Sequence, residues 1–299
     1  MAWLEIHIKT SDKHANELSD ELNQLGALAV TFKDAGDQPI YEPSPDNPRL
    51  WHETIVIGLF DPDHPIDALI RYLEQQQAAG KLEHFHLKHL ENQDWQRICL
   101  DSFKPLQFGN RLWICPSWHQ TPDPNAINVT LDPGLAFGTG THPTTALCLE
   151  WLDKNITGTE ELVIDYGCGS GILAIAALKL GAKHVLAVDN DPQALEATRS
   201  NAERNHISTP KLITCSPQKV ENQQADILIA NILAQPLIDL APILSSLVKP
   251  HGKIVLSGIL SEQSLDITNT YNKWFAMSPP ISRAEWVRLD GEKQDNLTE

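Results

Sequence analysis

Hydrophobic and polar positions in residues 1 to about 90 repeat one pattern twice. In each copy, a run typical of a strand precedes apolar residues at helical spacing, and a second strand-like run follows. The predicted elements are strands from Leu4 to Ile8, Ala29 to Lys33, Ile55 to Phe60 and Phe85 to Leu90, with helices from Leu18 to Leu25 and Pro65 to Ala79. The order β-α-β-β-α-β predicts a ferredoxin-like α+β domain.

A different pattern begins after residue 90. Residues Gln93 to Phe103 place apolar side chains near helical spacing ahead of Pro105, which predicts a short connecting helix. We therefore predict a first domain over residues 1–92, a linker helix over 93–106 and a second domain over 107–299. The polar tail after Gly291 is predicted to be disordered.

Strands alternate with helices in the second domain. The predicted strands are Leu112 to Cys115, Ile127 to Leu131, His184 to Val188, Leu212 to Cys215, Ile227 to Ala230, Ile254 to Leu256 and Trp286 to Leu289. The predicted helices begin at Pro143 or cover Ile172 to Leu180, Pro192 to Asn205 and Pro236 to Leu247. This alternation predicts an α/β domain with a doubly wound, mainly parallel sheet.

A glycine turn joins the strand that begins at Val163 to the following helix. Gly167, Gly169 and Gly171 alternate in a G-x-G-x-G pattern, whereas nicotinamide and flavin proteins use G-x-G-x-x-G. Asp165 precedes the turn, and a carboxylate there would repel a pyrophosphate but attract a cation. The turn therefore favours a positively charged ligand such as S-adenosylmethionine.

A second acid closes the same β-α-β unit. Asp189 stands 18 residues after Gly171, at the predicted end of the next strand. A carboxylate at that position can accept hydrogen bonds from both hydroxyls of a ribose. Asp189 is therefore predicted to contact the cofactor's sugar.

Three segments carry a resemblance to a known family. Asp165 to Gly171, reading Asp-Tyr-Gly-Cys-Gly-Ser-Gly, resembles the first motif of class I S-adenosylmethionine-dependent methyltransferases. The segments Asp132 to Thr145 and Ala230 to Leu237 resemble those of the ribosomal protein L11 methyltransferases, the PrmA family. The resemblance covers nearly the whole chain and implies a Rossmann-like, seven-stranded sheet with a final antiparallel strand. The family's Glu-Glu-Trp motif reads Ala284-Glu285-Trp286 here.

The resemblance implies an activity and a partner. It indicates a protein N-methyltransferase that converts S-adenosylmethionine into S-adenosylhomocysteine while methylating lysine ε-amines and the N-terminal α-amine of ribosomal protein L11, up to trimethylation. The first domain would then recognise the protein substrate, free or on the large ribosomal subunit. The alternatives are a methyltransferase for another protein or a small molecule, a nucleotide-binding oxidoreductase and a non-catalytic ribosome-associated binder.

The candidate site residues come from the glycine turn, the ends of strands and a glycine-rich loop. The predicted cofactor-binding residues are Phe137, Gly138, Thr139, Asp165, Gly167, Gly169, Gly171, Asp189 and Asn231, and the candidate catalytic residues are Asn231 and His142. The resemblance adds Thr145 as a further cofactor contact. The loop from Asp132 to His142 is either a lid over the cofactor or a plain connection. Asn231 either accepts a hydrogen bond from an amine or caps the helix that leads to Pro236. His142 is either a proton acceptor or a hydrogen-bonding partner within the loop.

Composition limits the partners and the compartment. With 39 acidic and 23 basic residues, the net charge of −16 disfavours nucleic acid and anionic membranes and suits a basic partner, although acidity also serves solubility. The sequence shows neither a membrane-length apolar run nor a signal peptide, which predicts a cytoplasmic protein; we also expect a monomer. The five scattered cysteines predict free thiols. His84 and His86 share a strand face and His89 does not, so no metal site is predicted.

Overall fold

The computed structural model describes residues 3–36, 40, 50–90, 103–132, 142–220 and 223–295. The chain divides into two compact units, unit 1 over Met1–Cys99 and unit 2 over Leu100–Glu299. The division falls inside the predicted linker, most of which lies outside the described residues.

Unit 1 has the predicted order of elements. These are β1 (Trp3–Ser11), α1 (Asp12–Gln24), β2 (Ala29–Asp34), β3 (Glu53–Phe60), α2 (Ile66–Ala78) and β4 (His84–Leu90). The four strands form an antiparallel sheet in the order β2-β3-β1-β4. Alternate residues of β1, including Ile6 and Ile8, are fully buried with Leu22 of α1 and Leu73 of α2. The period of two on the strands and of about 3.6 on the helices therefore builds one core between sheet and helices.

Unit 2 begins with a small three-stranded sheet. It contains β5 (Leu106–Phe108), β6 (Leu112–Cys115) and β7 (Ile127–Thr130) in that order. Strand β5 was not predicted, because three residues are too few to show an alternating pattern. The side chain of Asp153, which is 5% exposed, accepts hydrogen bonds from the main-chain nitrogens of Asn110 and Arg111 and thereby holds the turn between β5 and β6.

The large sheet of unit 2 is doubly wound. Its helices are α3 (Pro143–Asn155), α4 (Ile172–Leu180), α5 (Pro192–Arg204), α6 (Ala234–Asp239), α7 (Ala241–Ser246) and α8 (Ser264–Tyr271). Its strands are β8 (Leu162–Tyr166), β9 (His184–Val188), β10 (Leu212–Cys215), β11 (Ala225–Asn231), β12 (Val248–Leu260), β13 (Phe275–Met277), β14 (Ile281–Arg283) and β15 (Trp286–Lys293). The order is β10-β9-β8-β11-β12-β15-β13, and β14 also pairs with β15.

Strands β8 to β12 pair in parallel, and the implied final antiparallel strand is β15. The sheet has eight strands rather than seven, because two short strands share the last position. Strand β13 pairs with the end of β15, and β14 pairs with its beginning. Val163 and Ile164 of β8 belong to different hydrophobic clusters, as expected for a parallel strand covered on both faces.

The last third of the chain differs from the predictions in several places. The segment Pro236 to Leu247 forms two helices, α6 and α7, because Pro242 lacks the N–H of a continuous helix. Helix α8 was not predicted, and β12 is longer than Ile254 to Leu256. Residues 292 and 293, in the tail predicted to be disordered, belong to β15, and the Lys293 side chain donates hydrogen bonds to the carbonyl oxygens of Ser245 and Val248.

Candidate cofactor and active site

The site is built where three parallel strands end. Strands β9, β8 and β11 are neighbours, so their carboxyl ends meet at one edge of the sheet and bring together the segments that contain Asp189, the glycine turn and Asn231. The chain order reverses at β8, since β9 lies on one side and β11 on the other. Open α/β sheets bind ligands at such a switch point.

The glycine turn needs glycine for two reasons at its ends. Gly167 and Gly171 have φ angles of +82° and +79°, which side chains disfavour. A Cβ on Gly167 would lie 2.3 Å from Cγ2 of Ile232, and one on Gly171 would lie 2.7 Å from Cγ2 of Thr198. The turn therefore fits closely between β11 and α5, and its first two N–H groups donate to the carbonyl oxygen of Val188 at the end of β9.

The carboxylate of Asp189 is fixed by main-chain donors. Its Oδ2 accepts a hydrogen bond from the nitrogen of Gly169 at 2.9 Å, and its Oδ1 accepts one from the nitrogen of Asp191 at 3.0 Å. The residue is half-buried. Because a carboxylate oxygen has two lone pairs, each oxygen keeps capacity for one further donor. This arrangement suits the predicted contact with two neighbouring hydroxyls.

Asp165 lies beneath the turn and is only 1% exposed. Its Oδ2 accepts a hydrogen bond from the nitrogen of Ala174 at 3.0 Å, whereas its buried Oδ1 has no hydrogen-bond partner in the described part of the chain. Burial raises the pKa of this carboxyl to about 7; the bond from Ala174 opposes the rise, and the charge of Asp189 adds to it. A cation at the turn would favour the ionised form.

The structure brings Asn231 and Thr145 together. The Asn231 amide nitrogen lies 3.4 Å from the Thr145 hydroxyl oxygen, and Thr145 is 1% exposed in the first turn of α3. The alternative that Asn231 caps the next helix was wrong, because α6 begins at Ala234 with Leu233 as its N-cap. The amide nitrogen is engaged with Thr145, which leaves Oδ1 as the acceptor for a ligand.

His142 is the N-cap of α3. Its Nδ1 lies 2.7 Å from the Thr144 hydroxyl and accepts a long hydrogen bond of 3.4 Å from the Thr144 nitrogen. The ring also meets Trp286 edge to face at 4.9 Å between centroids. Burial lowers the pKa of His142, and the charge of Glu285 partly opposes this effect. The interpretation as a hydrogen-bonding partner therefore has direct structural support, while Phe137, Gly138 and Thr139 lie outside the described residues.

Polar side chains behind the glycine turn were not among the predicted site residues. Thr198 and Asn201 of α5 are buried and donate hydrogen bonds to the carbonyl oxygens of Gly169 and Ser170. Their spacing of three places them on one helical face together with Ala194. Polar residues on the buried face of an otherwise amphipathic helix were the signal available in the sequence.

The chain matches the family Ribosomal protein L11 methyltransferase (PrmA) over residues 2–294. It belongs to this family. A PrmA relative, "Ribosomal protein L11 methyltransferase" of Marinobacter nauticus, is 51% identical over 299 residues, 99% of this chain and 100% of the relative. The protein of the same name from Haemophilus influenzae strain PittEE is 49% identical over 292 residues, covering 98% of this chain and 99% of its own length.

A solved PrmA-like structure supports the fold. The ribosomal protein L11 methylase from Lactobacillus delbrueckii subsp. bulgaricus is 34% identical, with a TM-score of 0.59, and the match covers 64% of this chain and 100% of that chain. Unit 2 accordingly has the class I methyltransferase-like α/β fold.

The described residues were also compared with the predictions for metal ligands, cysteines and membrane-spanning helices. His84 and His86 are exposed on β4, and no group of three or more potential metal ligands occurs in the described segments. Cys115, Cys148, Cys168 and Cys215 are free cysteines there. Within the same segments, no helix combines the length and the apolar character needed to cross a membrane.

Proposed function

We propose that this PrmA-family chain transfers methyl groups from S-adenosylmethionine to lysine ε-amines and to the N-terminal α-amine of ribosomal protein L11, up to trimethylation. One observation carries the proposal: the match to proteins named ribosomal protein L11 methyltransferase extends over essentially the full length of both chains. The product of the cofactor would be S-adenosylhomocysteine.

The residues at the carboxyl edge fit this cofactor. The glycine turn is held in one shape by close packing of Gly167 against Ile232 and of Gly171 against Thr198, and it lies at the carboxyl edge where such a cofactor binds. Asp165 has a buried oxygen without a hydrogen-bond partner among the described residues, and Asp189 keeps lone pairs for a ribose. The proposed cofactor-binding set is Thr145, Asp165, Gly167, Gly169, Gly171, Asp189 and Asn231, together with Phe137, Gly138 and Thr139, whose role stays a prediction.

Methyl transfer places modest chemical demands on the protein. The cofactor, when bound, supplies an electrophilic methyl group on a positively charged sulfur. The protein must hold the amine in line with that methyl group, which is chiefly a matter of positioning. It must also receive a neutral amine, and a lysine in water has a pKa of roughly 10.4. A site that removes water from the ammonium lowers this pKa and releases the proton.

Asn231 and His142 are the residues we assign to the reacting end. Oδ1 of Asn231 accepts a hydrogen bond from the substrate amine and orients its lone pair, while Thr145 fixes the other side of the amide. Nδ1 of His142 accepts a hydrogen bond at the N-terminus of α3, so the neutral ring carries its proton on Nε2 and can donate a hydrogen bond from that atom. Its lowered pKa keeps the imidazole neutral at pH 7.

The two units divide the work in this proposal. Residues 1–92 form a ferredoxin-like domain that recognises the protein substrate, residues 93–106 form a linker helix, and residues 107–299 form the catalytic domain. The net charge of −16 supports a basic partner, since ribosomal proteins that contact RNA are commonly basic. We also predict that the protein is a cytoplasmic monomer. Its substrate is either free ribosomal protein L11 or L11 on the large subunit.

Intact-mass spectrometry of ribosomal protein L11 tests the proposal. We expect additions of about 14 Da per methyl group after incubation with the protein and S-adenosylmethionine. Asp189→Ala should abolish them by removing the ribose contact. Asp123→Ala is the matched control, because Asp123 also accepts a hydrogen bond from the nitrogen two residues later but lies in the loop between β6 and β7.

The outcomes separate the alternatives. Mass additions with the wild type and Asp123→Ala but not with Asp189→Ala would support the proposal. Cofactor binding without any addition would contradict the substrate assignment and favour another methyl acceptor or a non-catalytic binder.

A further inference from the structure

Helix α5 carries a buried polar stripe on one face. Thr198, Asn201 and Asn205, the last at its C-cap, are spaced by three and four residues and are 0%, 8% and 3% exposed. Buried polar groups lower stability unless they are hydrogen-bonded, so each of these side chains requires a partner. Their partners lie on two separate main-chain segments of unit 2.

The first part of the stripe holds the glycine turn. The hydroxyl of Thr198 donates to the carbonyl oxygen of Gly169 at 3.0 Å, and the amide of Asn201 donates to the carbonyl oxygen of Ser170 at 2.9 Å. Two successive carbonyl groups of the turn are thus bonded to the helix behind it. Without these donors, both oxygens would lose their side-chain partners in a buried region.

The last residue of the stripe holds the end of β7. The Asn205 amide oxygen accepts from the nitrogen of Thr130 at 2.8 Å, and its amide nitrogen donates to the carbonyl oxygen of the same residue at 2.7 Å. One side chain therefore bonds both main-chain groups of Thr130, as a neighbouring strand would. In sequence, Thr130 lies just before the glycine-rich segment that begins at Asp132.

The beginning of α5 is joined to the proposed ribose-binding acid. Asp191 is the N-cap: its carboxylate accepts from the nitrogen of Gln193 at 2.8 Å, and its own nitrogen donates to Asp189 at 3.0 Å. Pro192 at the first position fixes the helix start. One capped helix of 13 residues thus contacts Asp189, the turn and β7.

We propose that Thr198, Asn201 and Asn205 are positioning residues for methyl transfer, which align the glycine turn and the end of β7 around the cofactor from a single helix. This inference rests on the proposed function and extends it. None of the three needs to touch the cofactor, because each acts through the main-chain groups that it bonds.

Cofactor binding by the full chain tests the inference, with S-adenosylhomocysteine as the calorimetric probe. Thr198→Val keeps a branched side chain but removes the donor, and we expect the Kd to rise about tenfold, since a lost hydrogen bond near a binding site has roughly this effect. Thr198→Ser restores the hydroxyl and should return the Kd to near the wild-type value. Thr268→Val is the matched control, because the Thr268 hydroxyl donates to the carbonyl oxygen of Ser264 within its own helix.

Asn205→Ala should also raise the Kd about tenfold. Its control is Asn155→Ala, since Asn155 likewise lies near a helix end and donates to the carbonyl oxygen four residues earlier, but has no hydrogen bond to a strand among the described residues. Steady-state kinetics should show a raised KM for S-adenosylmethionine with an unchanged KM for ribosomal protein L11. A merely structural role would not produce that split.

The outcomes distinguish the inference from the proposed function. Weaker binding confined to Thr198→Val and Asn205→Ala, with rescue by Thr198→Ser, supports the inference. Equal Kd values in all folded variants, or equal losses in the two controls, would overturn it while leaving the proposed function intact. Wild-type protein that binds no S-adenosylhomocysteine would overturn the proposed function and the inference with it.

Discussion

The two units bury polar side chains very differently. Within the described residues, unit 1 buries two polar residues, Thr10 and Thr54, whereas unit 2 buries eleven. The hydroxyls of Thr10 and Thr54 donate to the carbonyl oxygens of Lys81 and Trp51, so both have main-chain partners within unit 1. In unit 2, the buried polar residues include Thr145, Asp165, Ser170, Thr198, Asn201 and Asn205, which surround the glycine turn or the helices beside it.

The location of the buried polar side chains indicates which part of unit 2 binds a ligand. Burying a polar group without a hydrogen bond costs stability. Several buried polar groups at one edge of a sheet therefore require structural partners or a ligand. Unit 1 follows the apolar pattern almost without exception and presents its charges on the surface. Unit 2 departs from that pattern at the carboxyl ends of β8, β9 and β11, where one oxygen of Asp165 has no hydrogen-bond partner in the part of the chain that the structure describes.

The largest contrast should come from two glycines with similar backbone angles. Gly167 and Gly80 have φ angles of +82° and +74°, but a Cβ at Gly167 would meet Ile232 at 2.3 Å, whereas one at Gly80 would have no atom within 4 Å. Gly167→Ala should raise the Kd for S-adenosylhomocysteine about 100-fold or more. Gly80→Ala should lower stability by about 1 kcal/mol and leave the Kd unchanged. Calorimetry measures the Kd and thermal unfolding measures the stability of both variants. Similar Kd values for Gly167→Ala and Gly80→Ala would contradict the difference proposed between the two units.

Asp165→Asn should change the pH dependence of stability. The folded-state pKa of about 7 exceeds the ordinary 3.8, so the folded protein holds this proton more tightly and its stability falls as pH rises from about 4 through 7. The penalty corresponds to at most about 4 kcal/mol. Urea unfolding between pH 5 and pH 8 should show a variant that gains stability over the wild type as pH rises.

A second buried carboxylate provides the control for that measurement. Asp153 accepts hydrogen bonds from two main-chain nitrogens and from the side chain of Arg111. Asp153→Asn should therefore lower stability at pH 8, opposite in sign to Asp165→Asn. If the stability of the wild type and of Asp165→Asn changed in parallel with pH, the claim that burial raises the pKa of Asp165 would be contradicted.

Asn231→Ala should lower kcat more than it weakens cofactor binding. We expect a loss of about 100-fold in kcat, typical of a misplaced reacting group, with a Kd for S-adenosylhomocysteine within a few-fold of the wild type. Thr145→Val breaks the same hydrogen bond from the other side. If both variants lose kcat equally, Asn231 acts through Thr145 and not on the amine.

Substitution of His142 should change stability by less than substitution of Asp165. His142→Ala should lower the stability of the folded protein by about 1 kcal/mol by removing the N-cap. His142→Asn should keep most of that stability, since asparagine is a good N-cap. Because burial lowers the pKa of His142, its stabilising contribution is present at neutral pH and is lost as pH falls below the ordinary 6.5 through the folded-state pKa. A kcat that survives in His142→Asn would argue against a proton-accepting role.

The smallest effect is expected from a surface ion pair of unit 1. Lys81 contacts Glu17 at 2.6 Å, and both side chains are solvent-accessible. Lys81→Ala should leave the Kd for S-adenosylhomocysteine unchanged, because exposed pairs contribute little and act locally. A changed Kd would show that unit 1 influences the cofactor site.

The sequence allowed most elements and part of the site to be predicted, for a physical reason. Strand and helix periods are local, and so are the spacings that place Gly167 and Asp189 at the ends of neighbouring strands. Strands β5, β13 and β14 were missed because three residues show no period. The contact between Asn231 and Thr145 spans 86 residues, and the partners of Asn205 depend on how α5 packs, so neither could be predicted from local patterns.

The most direct test of the account is calorimetric titration of the full chain with S-adenosylmethionine and, separately, with NAD⁺. The account predicts one saturable site for S-adenosylmethionine, lost in Gly167→Ala, and no binding of NAD⁺. Binding of NAD⁺ in place of S-adenosylmethionine would contradict it, since the turn and its acids would then serve an anionic dinucleotide.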